Sequence, residues 1–243
     1  MYGMRMFLEA NVTWLDVGAL AFFVVAWIGY AVFSVRHAKD APSLRTAMDN
    51  FRREWMARMI ERDNRMVDIN VMRNLTRSSQ FFASITMLVL GALIALMGYI
   101  QQALQLVSDL PFTVKGSQTL LEIKILLLVI IFVYAFFKFS WAIRQLNFCS
   151  VLVGAAPKMP TENPEQYAPH INRAARITSY ASVNFNNGLR AYYFALAALT
   201  WFLHPWLMVA ATAWVVYILY QREFRSKTLK ALVEEDASPT LKT

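Results

Sequence analysis

Four long apolar runs constrain this chain more than any other feature: Val12–Val35, Phe81–Ile100, Leu120–Phe139 and Arg190–Tyr220. A helix needs about 20 predominantly apolar residues to cross a hydrocarbon layer ~30 Å thick. Ser84–Ile100 and Ile125–Phe137 carry no charge at all. Soluble chains of this size interrupt such runs with polar positions, so a composition 57% apolar over 243 residues reads as an all-α, multi-pass membrane protein. Its single membrane domain is expected over 1–228, followed by a mobile tail over 229–243.

The charges give the expected topology. Ten of the 24 lysines and arginines lie in residues 36–80, from Arg36 through Arg77, against Lys115 alone in 101–119 and Arg5 alone ahead of the first span. Lys and Arg are enriched in cytoplasmic loops. The N-terminus is therefore expected outside, segments 36–80 and 145–190 inside, and the C-terminus inside, in a cell inner (plasma) membrane. The net charge of +8 sits beside the spans, which argues against nucleic acid as a partner and for membrane lipids. Glu9 and Asp16 join Arg5 near the N-terminus and no small-residue cleavage site follows, so the first span is expected to be retained.

The run 190–220 would make one helix of about 46 Å, too long for a single crossing, and His204-Pro205-Trp206 interrupts it. A tight hairpin gives five spans, at about 12–35, 81–100, 120–140, 188–203 and 205–224, with Trp201 and Trp206 at interface depth. One kinked span is the alternative. Two amphipathic cytoplasmic helices are expected, over 43–80 and 165–185. The first has Ser43 as N-cap and a stripe through Met48, Phe51, Trp55 and Met59 at helical spacing. Asp49 with Arg53, Glu54 with Arg58, and Glu61 with Arg65 stand four apart, where ion pairs support a helix. A bend is expected near Asp63-Asn64 or Asn74. The second helix is expected to end at Asn186-Asn187-Gly188, where span four begins.

Ionisable groups within spans are expensive and point to function. Asp16 reads as interfacial, Lys124 as a snorkelling lysine, and Glu122 as a buried or pore-lining acid. Lys138, Arg144 and Arg190 lie near inner span ends, where they meet lipid phosphates or ring a vestibule. Glu223 is near the last inner end. His204 before Pro205 reads as a turn residue. Arg52, Arg53, Trp55 and Arg58 form a face offered to lipid or a partner. No HExxH, CxxC, nucleophile or phosphate-loop pattern is present, so no catalytic residue, cofactor or metal site is expected. Cys149 is the only cysteine and forms no intrachain disulfide. Small-residue stripes, Gly91/Ala95/Gly98 and Ala191/Ala195/Ala198, suit close helix packing.

Several local patterns together resemble the integral membrane proteins of domain-of-unknown-function family 599. They are Arg65 and Asp68 ahead of Phe81-Phe82-Ala83-Ser84, Gly154-Ala155-Ala156-Pro157, Asn187-Gly188-Leu189-Arg190-Ala191-Tyr192-Tyr193-Phe194, Trp201-Phe202-Leu203-His204-Pro205-Trp206, and Arg222-Glu223-Phe224. The resemblance runs from about Trp14 to Ser226. It implies a membrane protein, supplies no catalytic residues, and marks the polar-aromatic stretch 187–206 as a signature. The leading functional expectation is a homo-oligomeric pore or conduit. The alternative is a membrane scaffold docking a cytoplasmic protein partner or anionic lipid through 43–80. An enzyme is disfavoured, because the expected topology separates Glu122 and His204 from Asp68 and Glu223.

Overall fold

The computed structural model describes residues 13–40, 42–102, 117–157 and 167–234. Residues 1–12, 41, 103–116 with Lys115, 158–166 and 235–243 lie outside the described residues. Among the described residues all regular structure is helical: α1 (Trp14–Asp40), α2 (Leu44–Glu61), α3 (Met66–Gly98), α4 (Gln118–Gly154), α5 (Ala168–Leu199), a 3₁₀ turn (Thr200–Phe202), α6 (Pro205–Phe224) and α7 (Lys227–Glu234).

Local chemistry sets the boundaries. Thr13 and Asp16 form a reciprocal cap at the start of α1: the Asp16 amide donates to Thr13 Oγ1 (3.3 Å) and the Thr13 amide to Asp16 Oδ2 (3.1 Å). Ser43 caps α2 in the same way, accepting from the Thr46 amide at 3.2 Å and donating its own amide to Thr46 Oγ1 at 3.0 Å. The chain leaves α2 after Glu61, is extended at Arg62, and restarts at Met66, whose amide donates to Asn64 Oδ1 at 2.9 Å. The break expected near Asp63-Asn64 is there; Asn74 lies inside α3.

Two helices are longer than expected. α3 carries the polar residues 66–80 and the apolar run without interruption, and α5 passes straight through Asn186-Asn187-Gly188. A mid-helix glycine costs about 1 kcal/mol, a small term against the side-chain partners on this helix. Asn184 Nδ2 donates to Gln145 Oε1 at 2.9 Å, and Lys138 Nζ donates to Asn184 Oδ1 at 3.3 Å. After the 3₁₀ turn, His204 caps α6, its Nδ1 accepting from the Trp206 amide at 3.2 Å. Pro205 then takes the first helical position, where its missing N–H costs nothing.

The helices contribute to two compact units. Unit 1 comprises residues 1–33, 83–137 and 187–218; unit 2 comprises 34–82, 138–186 and 219–243. α5 enters unit 1 at Asn187, and α6 returns the chain to unit 2 at Leu219. In unit 1, Phe194 stacks on Trp27 (centroids 5.4 Å apart) and meets Phe23 edge-on. The small stripe Ala191/Ala195/Ala198 is buried there. The stripe Gly91/Ala95/Gly98 is exposed, and a Cβ added at Gly91 or Gly98 would meet nothing within 4 Å. Unit 2 is built around Met56, Met59, Ile60, Met72, Leu146 and Cys149, with Phe82, Phe139 and Phe185 in mutual ring contact.

Among the described residues three stretches are long and apolar enough to cross a membrane: Trp14–Ala38, Met66–Gly98 and Gln118–Gly154. α5 falls short because its first half carries Arg173 and Arg176 and its second begins with Asn187 and Arg190. α6 falls short because Trp206, Trp214, Tyr217 and Tyr220 dilute it before Arg222-Glu223. The apolar helices are not saturated by packing: Val25, Leu88, Ile94, Ile130 and Leu196 are all exposed. Large apolar side chains left exposed on membrane-length helices are what a bilayer covers.

Candidate functional site

Unit 1 holds a buried polar centre. Asp16 is fully capped and buried, with Thr13 Oγ1 donating to Oδ2 at 2.6 Å and the Trp201 indole N–H donating to Oδ1 at 2.8 Å. Lys124 Nζ donates to the Trp201 carbonyl at 2.8 Å and lies 5.4 Å from the Trp201 ring centroid. Asp16, Lys124 and Trp201, expected as an interfacial acid, a snorkelling lysine and an indole at interface depth, are all buried within the protein, and the Lys124 ammonium is held by a backbone carbonyl. Glu122, expected as a buried or pore-lining acid, is half-buried and accepts from Gln118 Nε2 at 2.9 Å. Spacing alone does not say which turn of α4 faces α1 and the 3₁₀ turn.

Unit 2 holds a second polar centre where α2, α3 and the end of α4 meet. Asp68 is completely buried and accepts from the Trp55 indole (2.7 Å) and from Arg62 Nη1 (2.6 Å). Its Oδ2 is buried without a partner among the described residues. Arg65 spans to the end of α4, donating to the carbonyls of Val153 (3.3 Å), Ala156 (2.6 Å) and Pro157 (2.7 Å). A cation on these carbonyls also complements the negative end of the α4 dipole. Trp55 therefore packs inward against the unit 2 core.

The ion pairs on α2 differ from the four-apart expectation. Only Glu54 with Arg58 forms as read. Asp49 pairs with Arg52 at 2.8 Å instead of with Arg53, because Arg52 is drawn in to donate to Ser182 on α5 at 2.8 Å. Burial lowers the pKa of the Arg52 guanidinium while Asp49 opposes that shift. Arg65 is committed to α4, so Glu61 ends the helix without it.

This exchange leaves Arg53 free on the surface. Arg45, Asp49 and Arg53 step by four along α2, and Asn172, Arg176 and Tyr180 step by four along α5; both rows line one groove of about 420 Å³. Arg176 Nη2 donates to the Tyr180 hydroxyl at 3.1 Å, and that contact raises its pKa further. Arg45, Asn172, Arg176 and Tyr180 were not singled out as a site from the sequence, although the matching four-residue steps on the two helices were there to be read. Of the other candidates, Arg144 is exposed over the Phe148 ring (5.6 Å) and Arg190 lies over Tyr30 (5.3 Å). Asn187 and Glu223 are half-buried within α5 and α6.

These features define an all-helical protein with apolar helices of membrane-crossing length and two buried polar centres. The chain belongs to the family described as "Protein of unknown function, DUF599", whose sequence model matches residues 18–228. No curated protein and no solved structure matches it.

Proposed function

We propose that this protein is a five-span scaffold of the inner (plasma) membrane, N-terminus outside and C-terminus cytoplasmic, whose unit 2 docks an anionic ligand at the cytoplasmic surface. One observation carries the reading: α2 is fixed by its Trp55, Met56, Met59 and Ile60 side against the unit 2 core, while Arg45 and Arg53 line a groove whose one carboxylate, Asp49, is paired with Arg52. A helix held by core packing presents its charges in a fixed array, which a loose basic loop cannot do.

Topology is tested by single-cysteine labelling in a Cys149→Ser background. Gln118→Cys should label from outside intact cells, and Arg53→Cys and Lys230→Cys only after permeabilisation; the reverse pattern overturns the topology. Docking is tested with pyrophosphate and the full protein in neutral nanodiscs. Binding should weaken steeply as salt rises from about 50 to about 500 mM, since exposed charges are screened over that range. A flat response overturns the docking reading.

A homo-oligomeric conduit is favoured by one separate observation, the exposed Gly91/Ala95/Gly98 stripe. Small residues let a second helix approach closely. On that reading Gly91→Leu reduces the oligomer seen by native mass spectrometry while leaving the protomer folded. An unchanged oligomer counts against it.

A further inference from the structure

We propose that the groove between α2 and α5 in unit 2 is a binding site for a terminal phosphate group, carried either by a lipid headgroup or by a small soluble ester. This rests on the docking reading of unit 2 and gives that reading a place and a chemistry.

The walls supply the charge. Arg45 and Arg53 come from α2 and Arg176 from α5, against the single carboxylate of Asp49. That carboxylate is already held by Arg52 at 2.8 Å, so it does not compete for the groove arginines. Guanidinium forks match the oxygens of a phosphate, which at neutral pH carries close to two charges and offers three acceptors. A monocarboxylate offers these three guanidiniums two oxygens and one charge, fewer on both counts than a phosphate. Asn172 adds a neutral hydrogen-bonding group to the same wall.

The walls also have a fixed geometry. The Arg52 bond to Ser182 ties α2 to α5 near the groove, and Ala174 and Ala175 of α5 pack in the same core as Met56 and Met59. Arg176 is braced on Tyr180 by both hydroxyl and ring, its guanidinium 6.0 Å from the ring centroid. A volume of about 420 Å³ falls within the ~300–1,000 Å³ of small-molecule sites. It has room for a phosphate and the alcohol that carries it. A second groove in unit 2, lined by Pro42, Phe51, Glu54, Leu232 and Val233, has no cation and offers no such recognition.

Native mass spectrometry of the full protein, released from neutral nanodiscs, tests the site with two probes: pyrophosphate in solution and phosphatidic acid in the bilayer. Wild type should retain one probe molecule. R45Q/R53Q/R176Q should lose affinity by about 100-fold or more, from three charge-assisted contacts removed together. R73Q/R77Q/K230Q removes the same charge from elsewhere on unit 2 and should lose about threefold or less. Ser179→Glu places a carboxylate in the groove and should abolish binding without removing any arginine.

Retention of pyrophosphate alone supports the site and names a soluble phosphate compound as the source. Retention of phosphatidic acid alone supports it and names a lipid. Binding of neither probe overturns the site, as does equal loss in the two triple variants; in the second case salt-dependent docking by diffuse charge still stands. If α2 labels from outside the cell while the probe still binds, the site stands and the cytoplasmic docking reading falls.

Discussion

Asp16 and Trp201 stand 185 residues apart and share a hydrogen bond of 2.8 Å, which closes the start of α1 onto the turn between α5 and α6. A buried carboxylate oxygen left without its donor costs about 1–3 kcal/mol. Trp201→Phe keeps the ring and removes only the indole N–H. It should therefore lower the thermal stability of the detergent-purified protein by that amount, while Trp206→Phe, at an exposed position, should change it little. Equal melting temperatures for the two variants would show that the Asp16 bond contributes nothing. Asp68 offers the parallel case in unit 2. Asp68→Ala removes the acceptor and strands its two donors, Trp55 and Arg62, and should cost about 3 kcal/mol, toward the low end for broken buried pairs because Arg62 retains water. Asp68→Asn keeps an acceptor for Trp55 and should cost about 1 kcal/mol. Chemical denaturation followed by tryptophan fluorescence separates the two. Asp68 and Arg65 were visible in sequence as distinctive residues, and their roles were not. A carboxylate's burial depends on which remote indole or guanidinium reaches it, and no local period encodes a partner 185 residues away.

At the scale of elements, local signals were readable wherever a side chain acts on its own backbone. Ser43 caps α2, Asn64 precedes α3, and Pro205 opens α6, each within a few residues of the boundary it sets. Reading failed where the tertiary partner overrides the local cue, as at Asn186-Asn187-Gly188, where α5 continues because its neighbouring polar side chains are occupied. Arg65 shows such an override at a helix end. It satisfies three carbonyls at the close of α4, groups that otherwise need water or a glycine cap. Arg65→Lys preserves the charge and loses the fork, since an ammonium cannot span three acceptors arranged for a planar donor. Amide exchange over 152–156 should accelerate by roughly tenfold, corresponding to about 1.4 kcal/mol of local protection lost. Exchange across α2 residues 46–50, held by the Ser43 cap, should stay as in wild type. Uniform acceleration through unit 2 would instead assign Arg65 to the whole core and not to the α4 terminus.

For the whole molecule, the apolar helices carry two kinds of large side chain, and they answer to different solvents. Phe23 is completely buried against Trp27 and Phe194, whereas Leu88 is 74% exposed within the uncharged part of α3. Phe23→Ala should cost about 3–5 kcal/mol in detergent, because it removes a ring from a packed core. Leu88→Ala should cost about 0.5 kcal/mol or less, because no core surrounds it. The arginine variant separates the possible environments of that exposed face. In a bilayer, Leu88→Arg places a charge at depth and costs about 2.5–3.5 kcal/mol of insertion, so the fraction resistant to carbonate extraction should fall. In water the same variant breaks a greasy patch and should raise the yield of soluble protein. The two environments predict opposite signs for one substitution, so fractionating membranes from cells expressing Leu88→Arg beside Leu88→Ala tests the reading of α3 directly. A rise in soluble, folded protein would mean that this face of α3 meets water and not lipid, and would overturn the reading of α3 as a membrane span.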